Sequence, residues 1–173
     1  DLDGNGLADL VIGMDNGGPG VTANEVYVLL TSGLRGVESF GVGTSGCFGP
    51  VRLFATAPAT VGNQTFAFVS DSAPPGGFGY LLVAGVAARV NAGVDPFGIG
   101  LVFHLDVANQ PLFQITPIAA DSAGVCVLPS AVGNVPSLAG FRFECQALWY
   151  FGACLPASLG YASSNGLEVR ILP

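Results

Sequence analysis

The stretch "FRFECQALW", residues 141–149, decides the fold. Phe141, Phe143, Cys145, Ala147 and Trp149 fall on one parity, and Arg142, Glu144 and Gln146 on the other. Successive side chains of a β-strand point to opposite faces. Strict alternation therefore reads as a strand with one face packed and one face wet, as in an antiparallel sheet. The closing segment "GLEVRILP" (166–173) repeats the pattern, with Leu167, Val169 and Ile171 pointing one way and Glu168 and Arg170 the other.

Working outward, further apolar runs lie at "VRLFATA" (51–57), "QTFAFVSD" (64–71), "YLLVAGV" (80–86), "GLVFHLD" (100–106), "PLFQITPIA" (111–119) and "GVCVLP" (124–129). Turn formers separate them, drawn from 26 glycines and 12 prolines. No long apolar period of 3.6 residues intervenes. Short strands at this spacing predict an all-β chain with an antiparallel β-sandwich over residues 41–173. "VPSLAGF" (135–141) predicts one helical turn starting at Pro136, because the ring pre-sets the dihedral of a first helical residue. The Gly-rich "SFGVGTSG" (39–46) reads as a flexible bridge and marks a boundary near residue 40. Residues 1–40 add the strands "ADLVIGM" and "EVYVLL", joined by the turn-rich "DNGGPGVTAN".

Composition narrows the function. Half of the 173 residues are apolar, only 10% are charged, and the net charge is −7 with five arginines and no lysine. This balance argues against nucleic acid and against anionic lipid, both of which need a basic face. It also excludes Schiff-base and P-loop lysine chemistry. Mean hydropathy is +0.59, yet no apolar run reaches the ~18 residues of a spanning helix, so membrane insertion is not expected. The surplus of apolar residues implies a large core or a surface buried against another subunit. No signal peptide is visible, and a chain that starts on a candidate metal ligand reads as a mature product or a fragment.

The opening "DLDGNGLADL" gathers oxygens. Asp1, Asp3, Asn5 and Asp9 stand at alternate or near-alternate positions, with Gly4 and Gly6 allowing a tight turn between them. Calcium takes about six to eight oxygen ligands, and the backbone carbonyl of Leu7 completes a loop of this kind. An EF-hand would require a glutamate at position 12, where this chain has Ile12 at the heart of a strand. Without a cation the three carboxylates repel one another.

"DLDGNGLADLVIG…EVYVLLTSG" resembles an FG-GAP (VCBS-type) repeat, the unit of integrin-like β-propeller blades, over residues 1–33. The resemblance implies a calcium-loop β-hairpin, with Ca2+ held by Asp1, Asp3, Asn5, Leu7 and Asp9. A propeller needs at least four blades, and a lone two-stranded unit does not stand alone in water. The hairpin is therefore expected to add to the sandwich or to strands of another chain. Residues 41–173, from "GTSGCFGP" to the closing "SNGLEV" strand, resemble a C-terminal β-rich module of secreted proteins from planctomycete-like bacteria. That resemblance supplies no catalytic residues.

The remaining candidates are weighed residue by residue. Cys47, Cys126, Cys145 and Cys154 form no C-x-x-C pair, so two disulfides outside the cytoplasm are expected rather than zinc. Of the three pairings, Cys47–Cys126 with Cys145–Cys154 is favoured, because nine residues close a hairpin-sized loop. Gly41, Gly43 and Gly46 satisfy G-x-G-x-x-G, but no helix follows to bind a dinucleotide. His104, the lone histidine, is expected on the polar side of its strand beside Asp106, with no nucleophile elbow to complete a triad. Asp15, Asn16 and Glu25 read as a solvated loop that alternatively finishes the calcium shell. Asn63 reads as a strand start, and Asp71 and Asp95 read as turn formers. Phe48, Phe78, Phe97 and Phe151 belong to the core or, alternatively, anchor subunit contacts.

The expectation is thus a calcium-stabilised extracellular or cell-surface structural protein and not an enzyme. Copies of it would join into a filament, tube or surface layer. The alternative is an adhesion or carbohydrate-binding module of a larger secreted protein, with a glycan or another surface protein as partner.

Overall fold

The computed structural model describes residues 10–14 and 25–29 as backbone strands, and residues 33–155 and 159–173. In chain order the described strands are β1 (Leu10–Met14), β2 (Glu25–Leu29), β3 (Val37–Phe40), β4 (Ser45–Gly46), β5 (Gly49–Pro50), β6 (Arg52–Ala55) and β7 (Ala67–Asp71). They continue with β8 (Phe78–Ala84), β9 (Arg89–Val94), β10 (Phe103–Leu105), β11 (Leu112–Ala119), β12 (Cys126–Pro129), β13 (Arg142–Tyr150) and β14 (Tyr161–Arg170). Short 3-10 turns lie at Val86–Ala88, Pro136–Leu138 and Gly152–Cys154, the second where Pro136 predicts it. No described helix is long and apolar enough to cross a membrane.

The chain is all-β, with antiparallel sheets. β11-β8-β13-β14-β3 form a five-stranded sheet, and β12-β7-β6 form a three-stranded sheet packed against it. β1 and β2 pair antiparallel, with Leu10 opposite Leu29 and Met14 opposite Glu25. Asp1, Asp3, Asn5, Leu7 and Asp9 lie outside the described residues, as do Asp15 and Asn16. β3 lies on the N-terminal side of residue 40 and pairs with β14, Glu38 facing Glu168.

The packed face of "FRFECQALW" lies where the alternation puts it. Cys145, Ala147 and Trp149 are wholly buried between the sheets beside Leu167 and Val169, in one cluster with Leu53 and Phe68 of the smaller sheet and with Phe66 just before β7. The Trp149 indole N–H donates to Ser70 Oγ at 2.9 Å, the kind of partner a buried tryptophan needs. Phe141, at the start of the stretch, stays half exposed.

The other face is not wet. Glu144 and Gln146 are both wholly buried. A second layer made by the antiparallel β9–β10 pair covers them, with its own apolar cluster of Leu101, Phe103 and Leu105 against Leu82 and Ala84. Gln146 is tolerated there because its side chain is bonded. Gln146 Oε1 accepts the His104 backbone N–H at 3.0 Å, and Gln146 Nε2 donates to the carbonyls of Ser164 (2.7 Å) and Val102 (3.2 Å). His104 is likewise buried rather than on a polar side. Its ring nitrogens sit 3.1 Å from the Val90 carbonyl and 2.9 Å from the Val42 carbonyl.

A β-bulge in β14 sets Ser164 and Asn165 opposite Ala147 alone. Bulges re-aim side chains, and here Asn165 reaches the edge of β6. Its Oδ1 accepts the Leu53 N–H at 2.8 Å, and its Nδ2 donates to the Leu53 carbonyl at 3.0 Å. A side chain thus takes up both backbone groups of Leu53 at this edge, beside a shallow cleft of about 400 Å³ lined by Ser39, Phe54 and Asn165.

The run "GVGTSG" is a strap held tightly against the fold, not a flexible bridge. A Cβ on Gly41 would enter the His104 ring, one on Gly43 would fall 2.8 Å from the Ser164 Cα, and one on Gly46 would enter the Phe151 ring. Thr44 Oγ1 accepts the Val102 N–H at 3.1 Å and bonds Ser163 Oγ at 3.0 Å.

The disulfide pairing also differs from the expected one. Cys47 and Cys154 are joined, with Cα atoms 6.3 Å apart, while Cys126 and Cys145 are free and buried. The nine residues after Cys145 do not close a loop because most of them continue β13, which carries the chain away at about 3.3 Å per residue. Burial pushes the pKa of both free thiols up, which suppresses the thiolate needed for exchange.

Gly43→Ala has no room to relax, because the added methyl meets backbone rather than a side chain. We expect a loss of about 2–3 kcal/mol in chemical denaturation; an unchanged midpoint would contradict the close approach.

Candidate functional site

The two sides of the sandwich differ. On the β3/β6 side, Asn165 occupies the gap, and Arg52 Nε donates to Asp71 Oδ1 at 3.0 Å nearby. On the opposite side the terminal strands β11 and β12 leave a cleft of about 460 Å³. Phe68, Leu81, Phe113, Leu128, Phe141 and Phe143 are among its lining residues. A smaller hollow of about 170 Å³ adjoins it and shares Phe68, Ser130 and Phe143.

Among the described strands β11 is the longest at a sheet edge, and "LFQITPIA" carries no charge. Phe113 and Ile115 are 60% and 56% exposed on it, and Val127 on β12 is 58% exposed. Among the described residues no strand pairs with its outer edge. Natural edge strands are usually blunted by lysine, proline, bulges or covering loops. This edge has Pro117 and one register shift near Phe113, but no charge. β11 was legible as a strand; its edge position was not, although the absence of charge from residue 111 to 119 is a signal in the sequence.

The outer face of the large sheet carries a second concentration of chemistry. Glu38, Glu168 and Glu144 are cross-strand neighbours on β3, β14 and β13, and Arg142 faces Arg170 on the last two. Arg89 reaches over from β9. Its Nη1 donates to Glu168 Oε2 at 2.8 Å, its Nη2 donates to Glu38 Oε1 at 2.6 Å, and its guanidinium lies 4.2 Å from the Phe40 ring centroid. Arg142 Nε donates to Glu168 Oε1 at 2.8 Å, and Arg142 Nη2 pairs with the same oxygen. Glu168 is thereby held between two arginines.

Glu144, beside it, has neither carboxylate oxygen hydrogen-bonded. Desolvation first, and then the neighbouring Glu168, push its pKa up to about 7, while Arg89 and Arg142 oppose the rise. A carboxyl in this position is comfortable only when neutral.

The other residues singled out in the sequence take structural places. Asp95 accepts the Gly100 N–H at 2.6 Å and closes its own turn, and the amide of Asn63 bonds Pro58 and Thr65 within a loop. Asp71 ends β7 and pairs with Arg52 rather than serving as a simple turn former. Phe48, Phe78 and Phe97 are exposed rather than core, and Phe151 is partly buried against the main core. Among the described residues no three His, Cys, Asp or Glu side chains converge on a metal position. No protein family, curated protein or solved structure matches the chain.

The Glu144 environment carries a pH dependence whose sign follows from the raised pKa. The folded-state value, about 7, lies above the ordinary 4.5, so the stability this group contributes is complete below pH 4.5 and is lost as pH rises through 7. Glu144→Gln, a neutral isostere, should match the parent at pH 4.5 and exceed it by about 1–3 kcal/mol at pH 8. Parallel stability profiles for parent and variant from pH 4 to 8 would contradict the assignment.

Proposed function

We propose that this is an extracellular structural protein that assembles with copies of itself by strand addition at the β11 edge, and that calcium stabilises its N-terminal hairpin. The observation that carries the reading is the asymmetry of the sandwich. At the short β6 edge Asn165 takes up the backbone groups of Leu53, while the other side presents a longer, uncharged edge strand beside an aromatic cleft. An unpaired edge offers backbone donors and acceptors to a second chain, and exposed Phe113 and Ile115 offer apolar area to accompany them. The Cys47–Cys154 pair supports an oxidising compartment. Calcium would sit among Asp1, Asp3, Asn5, the Leu7 carbonyl and Asp9.

A second reading, adhesion to a glycan, draws on a different surface. Phe78, Tyr150 and Tyr161 form a row across β8, β13 and β14, with ring centroids 5.6 and 5.1 Å apart. Aromatic faces of this kind suit the apolar face of a sugar ring. A glycan array tests it, with loss of signal in Phe78→Ala as the expected outcome.

Assembly is tested by sedimentation velocity and electron microscopy of the purified chain, with calcium and with chelator. Concentration-dependent oligomers that weaken on chelation are expected. Ile115→Lys places a charge on the edge and should reduce association about tenfold or more, with the folded spectrum retained. A strictly monomeric particle in both conditions would overturn the reading.

A further inference from the structure

We propose that the corner where β13, β14 and the segment before β3 meet is a binding site for an oxyanion: a carboxylate, sulfate or phosphate group. The first ground is the distribution of charge. The chain has five arginines, no lysine and a net charge of −7. Arg35, Arg142 and Arg170 nevertheless line one cleft of about 420 Å³, together with Glu38 and Glu168. Arg89 borders it through its bonds to both glutamates. The fifth, Arg52, is elsewhere, paired with Asp71.

The second ground is geometry. Arg142 and Arg170 stand directly opposite each other on neighbouring antiparallel strands. Like charges in that relation repel, and the sheet keeps them side by side. Arg35 is drawn to the same place by its neighbour Gly36. The Arg170 N–H donates to the Gly36 carbonyl at 2.7 Å, and a Cβ at residue 36, whose φ is +74°, would come 2.5 Å from the Arg170 carbonyl oxygen. Only glycine combines that dihedral with that approach.

The third ground is the count of donors against acceptors. Both oxygens of Glu168 are engaged, by Arg89 and Arg142. Glu38 receives Arg89. Among the described residues neither Arg35 nor Arg170 has an ion pair. Two exposed guanidinium forks therefore face an open cleft beside a carboxylate that shows how this corner holds such a group. Forks of this shape bind planar or tetrahedral oxyanions by paired N–H donors. An incoming anion would also relieve the Arg142–Arg170 repulsion.

The test is calorimetric titration of the whole chain with sodium sulfate, inorganic phosphate and acetate at constant ionic strength, with chloride as the reference. It uses the Ile115→Lys background, so that failure of assembly and failure of anion binding are read separately. Saturable binding with a dissociation constant on the order of millimolar is expected for at least one anion. Arg35→Gln and Arg170→Gln should each weaken it about tenfold, the loss of a charge-assisted hydrogen bond, while Arg52→Gln leaves it unchanged. Chromatography on immobilised alginate and on a sulfated polysaccharide then distinguishes sources. Retention that depends on Arg35 and Arg170 assigns the group to an acidic glycan, and its absence beside saturable sulfate or phosphate binding assigns it to the free anion. No saturable binding, as when a carboxylate of the chain's own first 32 residues fills the cleft, overturns the proposal. So does an Arg52→Gln effect equal to that of Arg35→Gln, which would mark general screening.

Discussion

The side-chain amide of Gln146 holds two layers of this molecule together. It stands in the middle of β13, on the face that alternation assigns to water, and spends its donors and acceptor on the backbone of Val102, β10 and β14. A buried amide left unbonded costs about 1–3 kcal/mol, so once the β9–β10 layer covers it, the layer has to arrive in register. Ser163 Oγ, bonded to the same Val102 carbonyl, and His104, set between Val42 and Val90, repeat the device on either side. The second layer is fixed by polar contacts of definite geometry as well as by its apolar cluster. The Gly41–Gly46 strap lies close because the histidine ring and the Ser163 backbone leave no room for side chains between them.

The same economy governs the edges. Nature's usual gatekeeper, lysine, is absent, so edges are closed by other means. Asn165, turned outward by a bulge, imitates a strand for β6, and Arg89 clasps β3 to β14 through Glu38 and Glu168. Nothing comparable is described at β11 and β12, where apolar side chains flank an open cleft. With so few charges available, their placement carries meaning. Four arginines and three glutamates share one corner of a protein that is otherwise weakly charged.

What was legible in the sequence is what period two encodes. Phe143, Cys145, Ala147 and Trp149 pack inward, as do Leu167, Val169 and Ile171. Alternation separates the faces of a strand, but it does not say what lies over each face. Glu144 and Gln146 looked solvated because they are polar, and β9 passed unread although Val90, Ala92 and Val94 alternate in "RVNAGV". The pairing of Cys47 with Cys154 brings together residues 107 positions apart, a tertiary fact that spacing does not carry. The candidate sites fall in the same category. An edge strand and a central strand can share one sequence pattern, and arginines at 35, 142 and 170 meet only because the fold sets their segments side by side.

Strand β14 lies between β13 and β3, bonds the covering layer and caps the β6 edge at Leu53. β3 lacks its strand partner, and β13 one of its two, until Tyr161–Arg170 has been synthesised. The contacts that stabilise this domain are thus overwhelmingly non-local, a topology associated with slow folding and with a nascent chain that stays open while it is being made.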